Sequence, residues 1–404
     1  MNDGKNVLIG IGGGIAAYKV CQLISHLYQG EISVRVILTQ GAQQFITPLT
    51  VSTLSRHQAY TDNDFWQNTA RPLHIELGEW ADLLVIAPLT ANTLGKLVYG
   101  LADNLLTNTV LASSCPILLA PAMNTQMWEQ PSVQRNWEAI QQESRYHCLE
   151  PSGGRLACDH LGKGRMAEPE QILSTIQSLL YTQGKRDFLG KTVLINTGGT
   201  REYLDPVRFL GNPATGKMGS AIAQAALDRG ATVTLVYGQS SEITVTPSPQ
   251  LRLISVVSAE EMLEAMVAYF PHADYTLLSA AVADFKPAHY SPQKRPKQEI
   301  SDSLPLKAVP DIAKTLSQQK QPQQILVGFA AQTGDFVKPA QDKLERKNLD
   351  YIVANPIDQA EGGFGSDNNQ CVILGKKGEK SAIALCSKLE LAHQILDIVS
   401  VQST

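Results

Sequence analysis

The segment Leu156-Ala157-Cys158-Asp159-His160-Leu161-Gly162-Lys163-Gly164-Arg165-Met166 sets a thiol beside a carboxylate, an imidazole and two cations. Three chemistries suit Cys158: a metal ligand with Asp159 and His160, an inert loop thiol, or a sulfur that takes part in a reaction. Adjacent Cys, Asp and His side chains do not readily converge on one ion, and no C-x-x-C or H-x-x-x-H pair supports them, so metal binding ranks last. A second group is Gly10, Gly12, Gly13 and Gly14 in VLIGIGGGIAAYK, where glycines between a strand and a helix let backbone N–H groups approach an anion. The spacing is not G-x-G-x-x-G, and the next strand ends Leu38-Thr39-Gln40 with no acidic residue. A mononucleotide such as a flavin phosphate, with the Thr39 hydroxyl as an added donor, therefore fits better than NAD. A tight turn with no ligand stands level with it on this motif alone. A third group, TGGTREYLDPVRFLGNPATGKMG, resembles a Walker loop but lacks its spacing, because Met218 follows Lys217. A P-loop ATPase is thereby disfavoured.

The elements that position these groups follow from hydrophobic pattern. Val7 to Ile11, Val34 to Leu38, Leu83 to Ala87 and Ile117 to Ala120 are short, mainly apolar runs, with Arg35 as the one charged residue, as strands buried on both faces require. Helical patterns fill the gaps, over about Ile15 to Tyr28, Asn104 to Ala112, Ser132 to Glu143 and Pro169 to Tyr181. Thr182 to Asp187 reads as a polar linker, after which the pattern restarts: strand Thr192 to Thr197, helix Lys217 to about Arg229, strand Thr232 to Tyr237. Later strands are expected at Leu253 to Val257, Tyr275 to Ser279, Ile325 to Gly328 and Tyr351 to Val353, with a capping box at Ser258 to Glu261. The expected fold class is α/β, two Rossmann-like (flavodoxin-like) parallel-sheet domains in series, over 1–189 and 190–404.

Composition agrees with a globular enzyme. The 404 residues exceed the span of one core, and 43% hydrophobic residues, 18% charged residues and a net charge of -4 give no basic excess for nucleic acid. No apolar run reaches membrane-spanning length. Six dispersed cysteines point to reduced thiols and a cytoplasmic location. Cys21, Cys115, Cys148, Cys371 and Cys386 read as small hydrophobic packing residues.

Three blocks of the first half, PLHIEL, PAMN and the Cys158 segment, together with GGGIAAYK, resemble the flavin-dependent cysteine decarboxylases. The second half, with TREYLDPVRFLGN, GKMG, AAVADF, VGFAA and KNLDYIVAN, resembles phosphopantothenate-cysteine ligase. The whole chain is thus similar to the fused bacterial coenzyme A biosynthesis enzymes that join phosphopantothenoylcysteine decarboxylase to that ligase.

The resemblance implies two reactions. In the ligase half, 4'-phosphopantothenate and L-cysteine are joined at the expense of CTP through an acyl-cytidylate. In the decarboxylase half, FMN oxidises the product's thiol so that loss of CO2 leaves a stabilised enethiolate, and reduction then gives 4'-phosphopantetheine. By resemblance Cys158 is the proton donor on a closing lid, a role suited to a thiol near Lys163 and Arg165. His74 serves the oxidative half, and Asn124 holds the substrate carboxylate. On residue type alone, His74 could simply cap a following strand and Asn124 a helix. The implied FMN contacts are Gly12, Gly13, Gly14, Thr39, Pro88 and Thr90.

In the ligase half the resemblance makes Asn212 the residue that handles the acyl-cytidylate and Lys297 the loop lysine, with Lys294 as the alternative. It assigns Asp284, Lys297, Val309, Pro310, Asp311, Ile312, Phe329, Lys343 and Lys347 to CTP, and Asp284 to magnesium as well. The chain departs from the family at Gly12, where serine is usual, at Gln332, where an acidic residue is common, and at Val309, where asparagine is usual. Homo-oligomers are implied, with trimeric decarboxylase cores joined through dimeric ligase domains, as are small-molecule substrates and no membrane or nucleic-acid partner. Two rivals compete: a peptidyl-cysteine decarboxylase, which leaves the ligase motifs unexplained, and a flavin-binding regulatory protein of the phosphatase-inhibitor kind. A nicotinamide dehydrogenase fails on the missing acidic strand end.

Overall fold

The computed structural model describes residues 4–67, 71–155, 161–294, 296, 303–332, 334, 337–356 and 365–401, apart from the side chains of Arg155 and Leu161. The chain divides into two compact units, Met1–Lys185 and Arg186–Thr404.

In the first unit β1 (Asn6–Ile11), β2 (Ser33–Leu38), β3 (Ala59–Thr61), β4 (Leu83–Leu89), β5 (Ile117–Pro121) and β6 (Tyr146–Cys148) form one sheet in the order β3-β2-β1-β4-β5-β6. Every pairing in it is parallel. The apolar runs fill both faces, as a doubly wound sheet demands. Val7, Ile9 and Ile11 face one core, which they share with Val20, Leu23 and Leu27 of α1 (Ala17–Gln29); Leu8 faces the other. α2 (Pro48–Ser55) joins the first core, while α3 (Leu73–Trp80), α4 (Ala91–Tyr99) and α5 (Leu105–Ala112) cover the second face. After β5 come the single turn α6 (Thr125–Trp128), helix α7 (Pro131–Gln141), the antiparallel pair β7 (Ser152–Arg155) and β8 (Leu161–Arg165), and α8 (Pro169–Thr182). α8 packs back on the first core through Ile172, Ile176 and Leu179.

The second unit repeats the plan. Its sheet runs β13 (Leu251–Val256), β12 (Thr232–Gly238), β9 (Thr192–Thr197), β14 (Tyr275–Leu278), β17 (Ile325–Gln332) and β18 (Tyr351–Pro356), all parallel, and continues antiparallel into β19 (Asn368–Gly375) and β20 (Lys380–Ser387). Two small antiparallel ribbons stand outside it, β10 (Arg201–Tyr203) with β11 (Phe209–Gly211) and β15 (Phe285–Pro287) with β16 (Leu306–Ala308). α9 (Lys217–Asp228) and α13 (Lys388–Ser400) cover one face. α10 (Ala259–Tyr269), α11 (Ile312–Gln319) and α12 (Val337–Arg346) cover the other. Asp187 and Phe188 belong here. Phe188 is buried in this core against Tyr275, and the Asp187 carboxylate pairs with Arg229.

Both sheets match the expected α/β class of serial parallel sheets. In each, strand order reverses beside the first strand, between β1 and β4 and between β9 and β14. Such a reversal leaves a crevice at the carboxyl ends of the strands, where ligands of this architecture bind. Among the described residues no helix is long and apolar enough to cross a membrane.

Candidate functional site

The glycine turn lies at the first reversal, at the end of β1. A side chain at Gly12 would bring a Cβ to 2.5 Å from the Pro88 carbonyl oxygen, and one at Gly13 to 2.8 Å from Gly41. Both glycines are there because backbone passes against backbone, and the serine usual at position 12 would require Pro88 to move. The turn's N–H groups are not equivalent. Gly12 donates to Pro88 O at 3.1 Å and Gly14 to Gly12 O at 3.0 Å. The Gly13, Ile15 and Ala16 amides have no backbone partner among the described residues and precede α1, so they, rather than Gly12 and Gly14, are the donors open to an anion. The Thr39 hydroxyl donates to Ile11 O at 3.0 Å and accepts from Ala42 N at 3.3 Å. It holds the turn, and donating to a phosphate requires it to rotate. Thr90 caps α4 by accepting from Thr93 N at 3.2 Å.

The PAMN block leaves β5 beside this crevice, with Ala122 N bonded to Leu89 O at 3.0 Å. Asn124 is the N-cap of α6, its Oδ1 accepting from Gln126 N at 2.9 Å. β8 is stapled to the same block: Met123 N donates to Gly164 O at 2.9 Å, and the Thr125 side chain lies against Gly162. Gly164, at φ +142°, has room for no side chain, since a Cβ would fall 2.2 Å from Met123 O. Cys158 lies outside the described residues. The two strands that flank it in sequence pair with each other, and the second is anchored to the Asn124 block. Of the two cations expected near the thiol, Arg165 is held by Glu168 at 2.9 Å, an anion it shares with Lys19 at 2.7 Å, so its charge is already matched locally.

His74 does not precede a strand. It is the second residue of α3, edge-on to Phe65 at 5.5 Å, and its buried Nδ1 has no hydrogen-bond partner among the described residues. An orphaned buried imidazole nitrogen is uncommon and marks a site that a ligand can complete.

The second reversal holds a cleft of about 570 Å³. The carboxyl ends of β9 and β14 with the residues that follow them, the carboxyl half of β17 and the starts of α9 and α11 line it. It gathers Asn212, Asp284, Val309, Pro310, Asp311, Ile312, Phe329, Lys343 and Lys347. Asn212 donates its amide to Ala281 O at 3.3 Å and Val282 O at 3.2 Å, which clamps one wall to the other and engages the group expected to serve the reacting oxygen. Val309 N donates to Asp284 O at 3.1 Å, at the stem of the β15–β16 ribbon. The basic loop springs from that ribbon; Lys294 in it is exposed, and Lys297 lies outside the described residues. Lys347 pairs with Asp311 at 3.2 Å. Lys343 donates to Phe329 O at 2.8 Å, and burial, aided by the Lys347 charge, lowers its pKa to about 8. Asp284 is exposed, and among the described residues no three His, Cys, Asp or Glu side chains are grouped to hold a metal ion. Sequence reasoning passed over Lys217, Lys388, Asn196 and Thr197, which also line the cleft.

Two doubly wound domains in series, each with a polar crevice at its strand-order reversal, define a two-site α/β protein of the nucleotide- and flavin-binding kind. Residues 1–181 match the "Flavoprotein" family model, and residues 188–402 match the "DNA/pantothenate metabolism flavoprotein C-terminal domain" model. The chain is 43% identical to a coenzyme A biosynthesis bifunctional protein of Bacillus subtilis, over 100% of this chain and 98% of that one. It is 40% identical to the protein of that name in Haemophilus influenzae, over 98% and 97% of the two chains. A cysteine/cysteine sulfinic acid decarboxylase from an unknown prokaryote is 42% identical over 87% of this chain and 98% of its own. The chain belongs to the family of coenzyme A biosynthesis bifunctional proteins. It is a two-function flavoprotein enzyme, a decarboxylase joined to a ligase.

Proposed function

We propose that the second unit joins L-cysteine to 4'-phosphopantothenate with CTP, and that the first unit decarboxylates the 4'-phosphopantothenoylcysteine formed to 4'-phosphopantetheine. The observation that carries the reading is the one cleft on which Asn212 and eight of the expected CTP-site residues converge. Its volume is within the usual range for small-molecule sites. In the ligation, a carboxylate oxygen of the acyl substrate attacks the α-phosphorus of CTP and pyrophosphate leaves; the cysteine amine then attacks the acyl carbon and CMP leaves. Lys343 and Lys347 supply positive charge where phosphate charge accumulates. Magnesium fits as an ion held mainly by the nucleotide's phosphates, with Asp284 as its protein carboxylate.

The first unit's crevice suits FMN, because the open Gly13, Ile15 and Ala16 amides before α1 match a phosphate monoester. Bound there, FMN supplies a reversible acceptor for the hydride of the substrate's thiol carbon. Pro88 and Thr90 would flank the flavin. His74, through its buried Nδ1, which has no partner among the described residues, orients or accepts the substrate's thiol proton. Asn124 presents a neutral amide to the departing carboxylate, where a lysine would favour the ground state. Cys158, in the segment of sequence between β7 and β8, delivers a proton to carbon.

Exposed apolar side chains support assembly of like chains. Ile15 (57% exposed), Tyr18 (60%) and Leu49 (76%) lie on the decarboxylase unit, and Val207 (56%), Phe285 (54%) and Leu306 (48%) on the ligase unit. Trimeric decarboxylase cores and dimeric ligase domains, in a cytoplasmic enzyme with reduced thiols, are the assembly we propose. The test is to look for a flavin absorbance in the purified protein and to supply 4'-phosphopantothenate, cysteine, CTP and magnesium. Pyrophosphate and CO2 should both be released, and a preparation that releases CO2 from synthetic phosphopantothenoylcysteine but never pyrophosphate refutes the ligase half. Cys158→Ser should still release CO2 without forming 4'-phosphopantetheine; normal product from it would move the proton donor elsewhere.

A further inference from the structure

Three lengths of chain hold one another in the wall of the ligase cleft, and two of the side chains that join them were assigned no task by motif or likeness. β9 and β14 pair in register as far as Asn196 and Leu278. There the regular ladder stops, with one further bridge between Gly199 and Ala281, yet the segments that follow stay laced together. Ser279 N donates to Asn196 O at 3.2 Å, and Ala281 N to Gly198 O at 2.9 Å. Side chains supply the remaining ties. Asn196 Oδ1 accepts from Ala280 N at 3.1 Å, and the Thr200 hydroxyl oxygen accepts from Ala283 N at 3.1 Å. Asn196 is 2% exposed and Thr200 1%. The Asn196 Nδ2 meets the Met262 thioether at 3.6 Å, a weak acceptor, so its oxygen is the end that carries the stronger bond.

The third length is the end of β11. A Cβ on Gly211 would fall 2.5 Å from Thr200 O, and one on Gly199 would fall 2.4 Å from Asn212 O, so backbone at Gly211 and Asn212 lies directly on Gly199 and Thr200. From that seat the Asn212 amide reaches across to Ala281 O at 3.3 Å and Val282 O at 3.2 Å. Each of those carbonyls belongs to a residue next to a pinned amide, Ala281 beside Ala280 and Val282 beside Ala283. The Asn212 side chain is exposed, so its position depends on where its two acceptors are held.

We infer that Asn196 and Thr200 are positioning residues for ligation: they fix the Ala281 and Val282 carbonyls that aim the Asn212 amide. This rests on the ligase reading of the cleft, with Asn212 as the residue that handles the acyl-cytidylate. A displacement of about 1 Å in such a group costs on the order of 100-fold in rate, so two buried oxygens that touch no reacting atom can still govern turnover.

The test is a double-mutant cycle in the full-length protein, read as pyrophosphate release from 4'-phosphopantothenate, cysteine, CTP and magnesium under single-turnover conditions. Thr200→Val keeps the side chain's shape and removes the accepting oxygen; it should lower the rate constant by at least about tenfold and leave the KM for CTP within about threefold. Thr200→Ser restores the oxygen and should return the rate to within about threefold of wild type. In an Asn212→Ala background, Thr200→Val should lower the rate by less than about threefold further, because the group it positions is gone. A residue that only supports the fold would lower the melting temperature and slow both backgrounds by the same factor. A fall of less than about tenfold in Thr200→Val, or a further fall of more than about threefold in the Asn212→Ala background, overturns the inference and leaves the ligase reading intact. Wild-type protein that releases no pyrophosphate overturns both. Should Thr200→Val not fold, Asn196→Leu, which removes the oxygen that holds Ala280 N at nearly the same volume, passes through the same cycle with the same expected and refuting outcomes.

Discussion

Replacing Gly164 by alanine tests whether the β7–β8 pair must be docked on the PAMN block for decarboxylation. The new Cβ would sit 2.2 Å from Met123 O, more than 1 Å inside ordinary contact, at a φ of +142°. Alanine held at such an angle costs about 1–3 kcal/mol. Relieving the clash also stretches the Met123 N to Gly164 O bond, 2.9 Å in the native chain, whose loss costs about 0.5–1.5 kcal/mol. Together these come to roughly 2–4 kcal/mol, which is less than the ~5–15 kcal/mol that holds a domain folded. The unit should stay folded, and the docked arrangement should become the minor one.

The expected result is a fall of roughly 30- to 1,000-fold in conversion of phosphopantothenoylcysteine to phosphopantetheine. The assay has its own control, because pyrophosphate release by the ligase unit of the same molecules should be unchanged. If Gly164→Ala converted phosphopantothenoylcysteine at more than half the native rate, with an unaltered melting temperature, the docking argument would be refuted.

Asn124→Asp separates the two roles of that residue. Aspartate caps a helix as well as asparagine, so α6 should persist and the melting temperature stay within about 2 °C. The added negative charge should repel the substrate carboxylate and cut decarboxylation by about 100-fold or more, and retention of more than a tenth of the activity would leave Asn124 only its cap. The ligase should be sensitive to pH through Lys343. Its pKa near 8 is set by burial and by Lys347 and Arg346, against Asp311 and Asp284, so the charge is present below pH 8 and lost above it. The KM for CTP should rise about tenfold per pH unit above 8, and Lys343→Arg, which stays charged, should flatten the profile. Unfolding does not mimic this effect: between pH 8 and 10.5 the unfolded lysine binds a proton that the folded one does not, so this group favours the folded state more as pH rises. A wild-type KM flat to pH 9.5 would remove Lys343 from the nucleotide site.

The parallel strands were the most legible part of the molecule. Val7 to Ile11, Leu83 to Ala87 and Ile117 to Ala120 carry no polar side chain because both faces are covered, and their limits in the structure agree within two residues, whereas β17 and β18 run four and three residues past the expected Gly328 and Val353. The edges were not legible. β20 is an antiparallel edge strand that buries only Ile383 and carries a weak signal, β19 opens with the polar Asn368, Asn369 and Gln370 before its apolar end, and β3 and β6 span three residues each. The cysteines pack as expected: Cys115 and Cys371 lie within hydrophobic cores and Cys21, Cys148 and Cys386 at their margins.

In the sites, residue type indicated membership better than function. Nucleotide-site residues scattered from 212 to 347 do meet in one cleft, yet the amide of Asn212 and the hydroxyl of Thr39 prove to be bonded to backbone. No spacing rule reveals which of a side chain's atoms is already engaged. His74 was placed beside a strand because a single apolar-polar alternation is too short to distinguish a strand from the first turn of α3. Lys388 left a trace that could have been followed, since Ser387 to Glu390 has the S-x-x-E form of a helix start and does cap α13.

Arg229 decides where this fused chain can be divided. It is 3% exposed at the end of α9, pairs with Asp187 and Asp397, and stacks over Phe188 at 4.7 Å. The few residues before β9 that read as linker therefore act as a clasp on the ligase half. A stand-alone ligase made to begin at residue 190 would lack Asp187 and Phe188. It would keep a buried guanidinium with one of its two anions gone, a defect of about 3–5 kcal/mol where a buried pair is broken outright. A gene split after Lys185 keeps the clasp with the half that needs it. The two catalysts are joined by a seam only a few residues wide, and its position is fixed by one arginine.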